Sequence, residues 1–307
     1  MYAYLGQRVA ATIPVLLGVS LLVFSMLQLV PGDPVQLMLS EFQTTPEQIA
    51  RLRSQLHLDE PLPVQFGRFL WDAAHGDLGQ SIRTHRPVTQ EIADNLPSTL
   101  QLAVAGLIVA AVVGITLGIV AATHQRSWLE VASMLIALLG VSMPSFWLGL
   151  LLIFAVSLQL RALPATGGGD LTHLILPAIT LGLGAAAILA RLTRSSMLEV
   201  LRQEYMTTAR AKGLRERAVI GRHALKNALI PVVTIFGLQF GQLLAGTVVV
   251  ETVFARPGLG RLIVDGILNK DFPMVQGVVL VVAVSYVLVN LLVDLVYAVL
   301  DPRIRYG

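Results

Sequence analysis

Six stretches of this chain carry no Asp, Glu, Lys or Arg: residues 9–32, 95–125, 131–160, 171–190, 227–250 and 272–293. Each holds at least 20 residues. An α-helix rises about 1.5 Å per residue, so about 20 apolar residues cross a hydrocarbon core of about 30 Å. A charge at the centre of such a span costs roughly 2.5 to 3.5 kcal/mol. The pattern therefore predicts an all-α integral membrane protein with about six transmembrane helices. Buried helices of a soluble core would not repeat so long a charge-free window six times. The first window is too long for a signal peptide, and the run at Pro31 and Pro34 lacks a small-x-small cleavage site. Pro144 and Gly140 predict a bend inside the third window. The pairs Gly114/Gly118 and Gly237/Gly241 have the small-xxx-small spacing that lets helix backbones approach. Gln239 and Gln242 lie in the same window as the second pair, and polar groups at that depth face protein or a water path. Structural hydrogen bonding and pathway lining both stand as readings of them.

Composition agrees with the pattern, since 55% of the 307 residues are hydrophobic and only 13% are charged. Twenty-two basic residues against 19 acidic ones imply no nucleic-acid partner unless the charges cluster on one side. They do cluster. With six spans, the side that holds both termini and the segment 191–226 carries 13 of the 22 basic residues. The positive-inside rule makes that side cytoplasmic. No cysteine is present, which excludes disulfides, thiolate metal sites and a cysteine nucleophile. Nor is there a Gly-x-x-x-x-Gly-Lys-Ser/Thr loop to cradle ATP phosphates.

Two inter-span segments are too long to be simple connectors. Between the first two windows, an extracytoplasmic segment of about 31–94 contains Thr45-Pro46-Glu47-Gln48, a capping box that predicts a short helix over about 46–56. The segment 191–226 holds nine basic and three acidic residues. Residues 199–212 are rich in helix formers, Gly213 is a natural stop, and a helical pattern resumes over 215–229 until Pro231. On the first of these helices Tyr205, Ala209 and Lys212 share a face, with Thr208 beside them. A small-residue patch ringed by cations can seat in a partner's groove.

This segment carries a resemblance. Residues 204–214, Glu-Tyr-Met-Thr-Thr-Ala-Arg-Ala-Lys-Gly-Leu, followed by Arg222-His223-Ala224-Leu225-Lys226-Asn227 and Pro231, closely resemble the coupling loop of permease subunits in the peptide/nickel family of ATP-binding-cassette importers. The likeness extends to Pro31-Gly32-Asp33-Pro34, His75-Gly76-Asp77-Leu78-Gly79, Thr193-Arg194-Ser195-Ser196-Met197, Pro257-Gly258-Leu259-Gly260-Arg261 and Asp301-Pro302-Arg303, all in order. The general importer pattern places Glu-Ala-Ala six residues before the Gly, where this chain has Thr207, Thr208 and Ala209. That departure leaves open whether Glu204 makes the family's coupling ion pair.

What the resemblance implies is a type I importer transmembrane fold in a bacterial plasma (inner) membrane. Residues 1–94 would form the first span and the outer segment, 95–300 the transmembrane domain with coupling loop 191–226, and 301–307 a cytoplasmic tail. It further implies a heterodimer with a second, homologous permease, two ATPase subunits that use ATP and magnesium, and an extracytoplasmic solute-binding protein. This chain would bind no cofactor, hold no metal and carry no catalytic residue. Glu204, Tyr205, Thr207, Thr208, Ala209, Lys212, Gly213 and Leu214 are the expected ATPase contacts. Ser142, Met143, Gln239 and Gln242 are the candidates for the solute path. A short peptide or a peptide-like solute such as glutathione is the expected cargo, with a nickel chelate as the alternative. The windows contain no carboxylate or cation for an ion-driven transporter or channel, and no catalytic pair for an intramembrane enzyme.

Overall fold

The computed structural model describes residues 2–29, 33, 35, 36, 45–55 and 57–300. Eleven labelled helices follow in order: α1 (Tyr2–Gln28), α2 (Pro46–Gln55), α3 (Leu62–Ala74), α4 (Val88–Thr123), α5 (Trp128–Ser142), α6 (Ser145–Leu152), α7 (Thr172–Leu201), α8 (Glu204–Ala211), α9 (Leu225–Val253), α10 (Leu259–Leu268) and α11 (Phe272–Leu300). π-Helical turns extend α6 through Ile153–Gln159 and lead into α9 over Val219–Ala224. The expected tail at 301–307 lies outside the described residues, as does most of the run 31–34.

Among the described residues, five helices are long and apolar enough to cross a bilayer, and a sixth crossing is present if α5 and α6 count as one. Those two meet at 108°, far sharper than the bend expected from Pro144. The cause is local. A proline pushes the residue before it out of the α region and has no N–H of its own to donate. Met143 accordingly has φ −89° and ψ 128°, and Pro144 has φ −57° and ψ 136°. Two extended residues in succession turn a kink into a corner. Pro14, Pro97, Pro177 and Pro231 sit inside helices without ending them. The expected stop at Pro231 is therefore corrected, because one missing bond in a long apolar helix is outweighed by the turns on either side.

The chain forms two compact units. One gathers Met1–Pro97 with Pro257–Gly307, and the other is Ser98–Arg256. In the first unit, the capping box at the head of α2 is present. Thr45 N–H donates to Gln48 Oε1 at 2.9 Å, and Gln48 N–H to Thr45 Oγ1 at 3.4 Å. Helix α3 has no counterpart among the elements predicted from sequence. It packs Phe66 and Phe69 against Phe24 of α1, with ring centroids 5.4 and 6.1 Å apart. Val88, Ile92, Leu259, Met274 and Val278 form the unit's buried cluster. Beside it the buried carboxylate of Asp271 accepts the Ser81 hydroxyl at 2.5 Å and the N–H groups of Ile82 and Met274 at 3.3 Å. Three donors on one carboxylate pin the segment before α4 to the start of α11.

The second unit is built around α7, whose apolar window is 61% buried, against 28% for that of α4. Glycines make this possible. A Cβ on Gly114 would lie 2.6 Å from the Ala186 carbonyl oxygen, and one on Gly118 would lie 2.5 Å from Thr193 Cβ. Gly106 and Gly182 close the same α4–α7 crossing backbone to backbone. The packing expected of the Gly114/Gly118 pair is thus found. Next to the Gly118 contact, Arg194 of α7 forks onto the Glu130 carboxylate of α5, with Nε at 3.0 Å from Oε1. Glu130 also accepts the Arg126 N–H at 2.6 Å, so one carboxylate both starts α5 and ties it to α7.

Candidate functional site

After α7 ends at Leu201, Gln203 turns extended with φ −71° and ψ 147°, and α8 makes two turns before Gly213 at φ +75°. The single helix expected over 199–212 is therefore broken at residues 202–203. Burial explains the break. Met206 and Ala209 drop into a cluster with Ala122, Met197, Val219, Ala224 and Ala228, and a straight continuation of α7 would carry them past it. Ala209 is 7% exposed and faces inward, which corrects the expected outer patch. The outward surface is made by Glu204, Tyr205, Thr207, Thr208, Ala211, Lys212, Gly213 and Leu214.

The turn after α8 is clipped on both flanks. Arg210 donates to Glu216 through Nε at 3.2 Å and Nη2 at 2.9 Å, closing a loop over Gly213. Asn227 donates to the Tyr205 hydroxyl at 2.8 Å. The Arg210 hydrogen bond holds the Glu216 carboxyl below its ordinary value. The pair's contribution is therefore complete above the ordinary carboxylate range and is lost as pH falls through the lowered value. Both side chains are exposed, so the gain is small and salt-sensitive. Among the described residues, Glu204 forms no ion pair; its carbonyl accepts from the Thr208 hydroxyl at 3.3 Å.

The second site lies where the α5–α6 corner opens beside α7 and α9. An open cleft of about 330 Å³ is lined by Gly140, Val141, Met143, Ser145 and Leu148, by Thr180, Leu181, Gly184, Ala185 and Ile188 of α7, and by Gln239, Gln242, Leu243 and Gly246. A Cβ on Gly140 would lie 2.5 Å from the Leu183 carbonyl oxygen, so glycine there lets α5 lie against α7 at the edge of the cleft. Met143, Gln239 and Gln242, nominated from sequence, come together here. Ser142 is exposed and does not line the cleft. Ser145 and Thr180, which the sequence did not single out, add hydroxyls; Thr180 Oγ1 donates to the Leu176 carbonyl at 2.8 Å. No charged side chain lines the cleft. Gln239 is 4% exposed, and among the described residues its Nε2 has no hydrogen-bond partner.

One polar cluster falls outside the charge-free windows. The fifth window ends at residue 250, but α9 runs to Val253 and carries a fully buried Glu251. Its Oε1 accepts the Thr99 hydroxyl of α4 at 2.7 Å. The expectation of spans without carboxylates is corrected by one residue, because a charge count marks Glu251 as a boundary whereas the helix continues through it.

Comparison with known proteins places these features in a family. Residues 114–306 match the binding-protein-dependent transport system inner membrane component, and residues 1–103 match the N-terminal part of the same kind of membrane component. The chain is 45% identical to the dipeptide transport system permease protein DppB of Alkalihalophilus pseudofirmus over 334 residues, covering all of both chains. It is 46% identical to the glutathione transport system permease protein GsiC of Pectobacterium atrosepticum over 306 residues, again covering all of both. It is 45% identical to a putative peptide transport system permease protein of Brucella abortus, with full coverage of each. Among solved structures, inward-facing MetNI methionine ABC transporter shares the fold with a TM-score of 0.59 at 18% identity, over 68% of this chain and 96% of that one. An amino acid ABC transporter crystallised with histidines gives 0.55 at 14%, over 69% and 95%. With two family models across the chain and full-length relatives above 40% identity, this multi-pass protein belongs to the inner membrane components of binding-protein-dependent transport systems.

Proposed function

We propose that this chain is one permease subunit of an ATP-driven importer of short peptides or peptide-like solutes. The observation that carries the reading is the full-length relatedness to permeases named for dipeptides, peptides and glutathione. The geometry supports it. Helix α8 stands on a clipped turn with its outer face exposed, the form of a rigid lever for a partner's groove. The cleft beside α9 supplies amide and hydroxyl groups with no fixed charge, suited to passing contact with a zwitterion. In this reading two ATPase subunits, which use ATP and magnesium, power the assembly, and one of them docks on α8. A second permease chain completes the path, and a binding protein delivers solute from outside. Both termini and the segment 191–226 are cytoplasmic, and residues 31–94 are extracytoplasmic. The chain itself performs no covalent chemistry.

The test is uptake into vesicles that contain the full assembly, with labelled dipeptide and labelled nickel offered separately. Dipeptide uptake that requires ATP and resists nickel is expected. Nickel uptake that short peptides neither replace nor inhibit would reverse the assignment. A reporter fused near Glu60 is expected to read extracytoplasmic, and a cytoplasmic signal would invert the topology.

A further inference from the structure

We propose that Gln239 is the anchor of a solute subsite that recognises a carbonyl acceptor, the oxygen of a peptide bond, within the cleft at the α5–α6 corner. The inference rests on the peptide-import reading and names the chemistry of one place on the path. Three observations lead to it. Gln239 is nine-tenths buried and lines the cleft, yet its Nε2 meets no acceptor among the described residues. An amide donor held away from water without a partner costs about 1 to 3 kcal/mol, so the protein carries a standing penalty there. The acceptor that relieves it must come from whatever fills the cleft, water or solute. Gln242 lies one turn further along the same face of α9 and is exposed to the cleft, which places a second amide next to the first.

The surroundings restrict the ligand class. With no Lys, Arg, His, Asp or Glu in the lining, neither the terminal ammonium nor the terminal carboxylate of a peptide finds a countercharge. A naked metal ion finds neither carboxylate nor imidazole there. What the cleft matches is the neutral middle of the solute. Its walls at Leu148, Ile188 and Leu243 are apolar, its small residues leave room for a side chain, and the glutamine amide meets the backbone carbonyl. One neutral hydrogen bond changes affinity about two- to tenfold, enough to orient a peptide without trapping it.

The experiment compares a dipeptide with its thioamide, in which sulfur, a poorer acceptor, replaces the peptide-bond oxygen. Uptake of each by the full assembly is measured for the natural protein and for Gln239→Met, which keeps length and unbranched shape while removing the donor. The ratio of the two ratios cancels any preference of the binding protein. The natural assembly is expected to favour the oxygen form about two- to tenfold more than the variant does. Equal discrimination by both proteins, or an equal loss of both substrates in the variant, would overturn the subsite while leaving peptide import in place. Gln239→Leu provides a second variant should Gln239→Met not accumulate in the membrane, and the same ratio decides. If the natural assembly imports neither dipeptide nor thioamide, the peptide-import reading fails first and the subsite with it.

Discussion

Gly118→Leu is expected to remove most folded protein from the membrane fraction. A Cβ at this position would lie 2.5 Å from Thr193 Cβ and 2.7 Å from the Ala190 carbonyl oxygen. The second neighbour is backbone on α7, the most buried helix of its unit, and cannot rotate away. Relief requires the two helices to separate, which also lifts Gly114 off Ala186 and Leu189. Overpacking of this kind costs about 3 kcal/mol or more, a large part of the stability of an ordinary domain. The check is thermal denaturation in detergent together with the yield of monodisperse protein. Gly67→Ala is the control. Gly67 lies in α3 with nothing within 4 Å of an added methyl, so that variant should be as stable or slightly more so, by up to about 1 kcal/mol. Normal yield and melting of Gly118→Leu would mean that the α4–α7 crossing has room to spare.

Gly213→Val is expected to insert normally and yet to uncouple ATP hydrolysis from uptake, lowering imported peptide per ATP by about tenfold or more. Nothing lies within 4 Å of a Cβ at Gly213, so no clash is involved. The cost is torsional: φ is +75°, a region that a β-branched residue rarely enters and that costs an ordinary L-residue roughly 1 to 2 kcal/mol. The backbone escapes that cost by turning, and the turn carries α8 with it. Because Met206 and Ala209 hold the inner face of α8 while the Arg210–Glu216 pair holds the far side, a rotation at Gly213 misaligns the exposed face. Asn tolerates the left-handed region, so Gly213→Asn should keep most of the coupling. ATPase activity and peptide uptake measured on the same proteoliposomes give the ratio. A natural ratio in Gly213→Val would remove α8 as the lever.

How much of this was legible in the sequence differs from element to element. Five of the six spans were, because a long charge-free window has one structural use in a chain this apolar, and the family was, because its motifs stand in order. The capping box at Thr45 and Gln48 and the left-handed turn at Gly213 were readable too, since each depends on residues at most a few positions apart. Helix α3 was not, because the partner that gives it a buried face, Phe24 of α1 against Phe66 and Phe69, is remote in sequence. Tertiary structure alone turned Ala209 inward. Helical spacing puts Ala209 on a stripe with Tyr205 and Lys212, but it does not say where the cluster around Met197 and Val219 will lie. The cleft is a tertiary product as well. Pro144 predicted a bend, yet whether a proline kinks a helix, as within α9 at Pro231, or breaks it into a corner of 108° depends on whether the neighbouring helices hold the two halves in line. Partnerships such as Thr99 with Glu251, 152 residues apart, and Ser81 with Asp271, 190 apart, have no local signal at all. Sequence by itself determined which segments enter the membrane, because transfer from water to lipid is a sum over residues. Which groups meet inside, and which are left without a partner as Gln239 is, was decided only by packing, because hydrogen bonds and steric contacts are properties of pairs brought together by the whole fold.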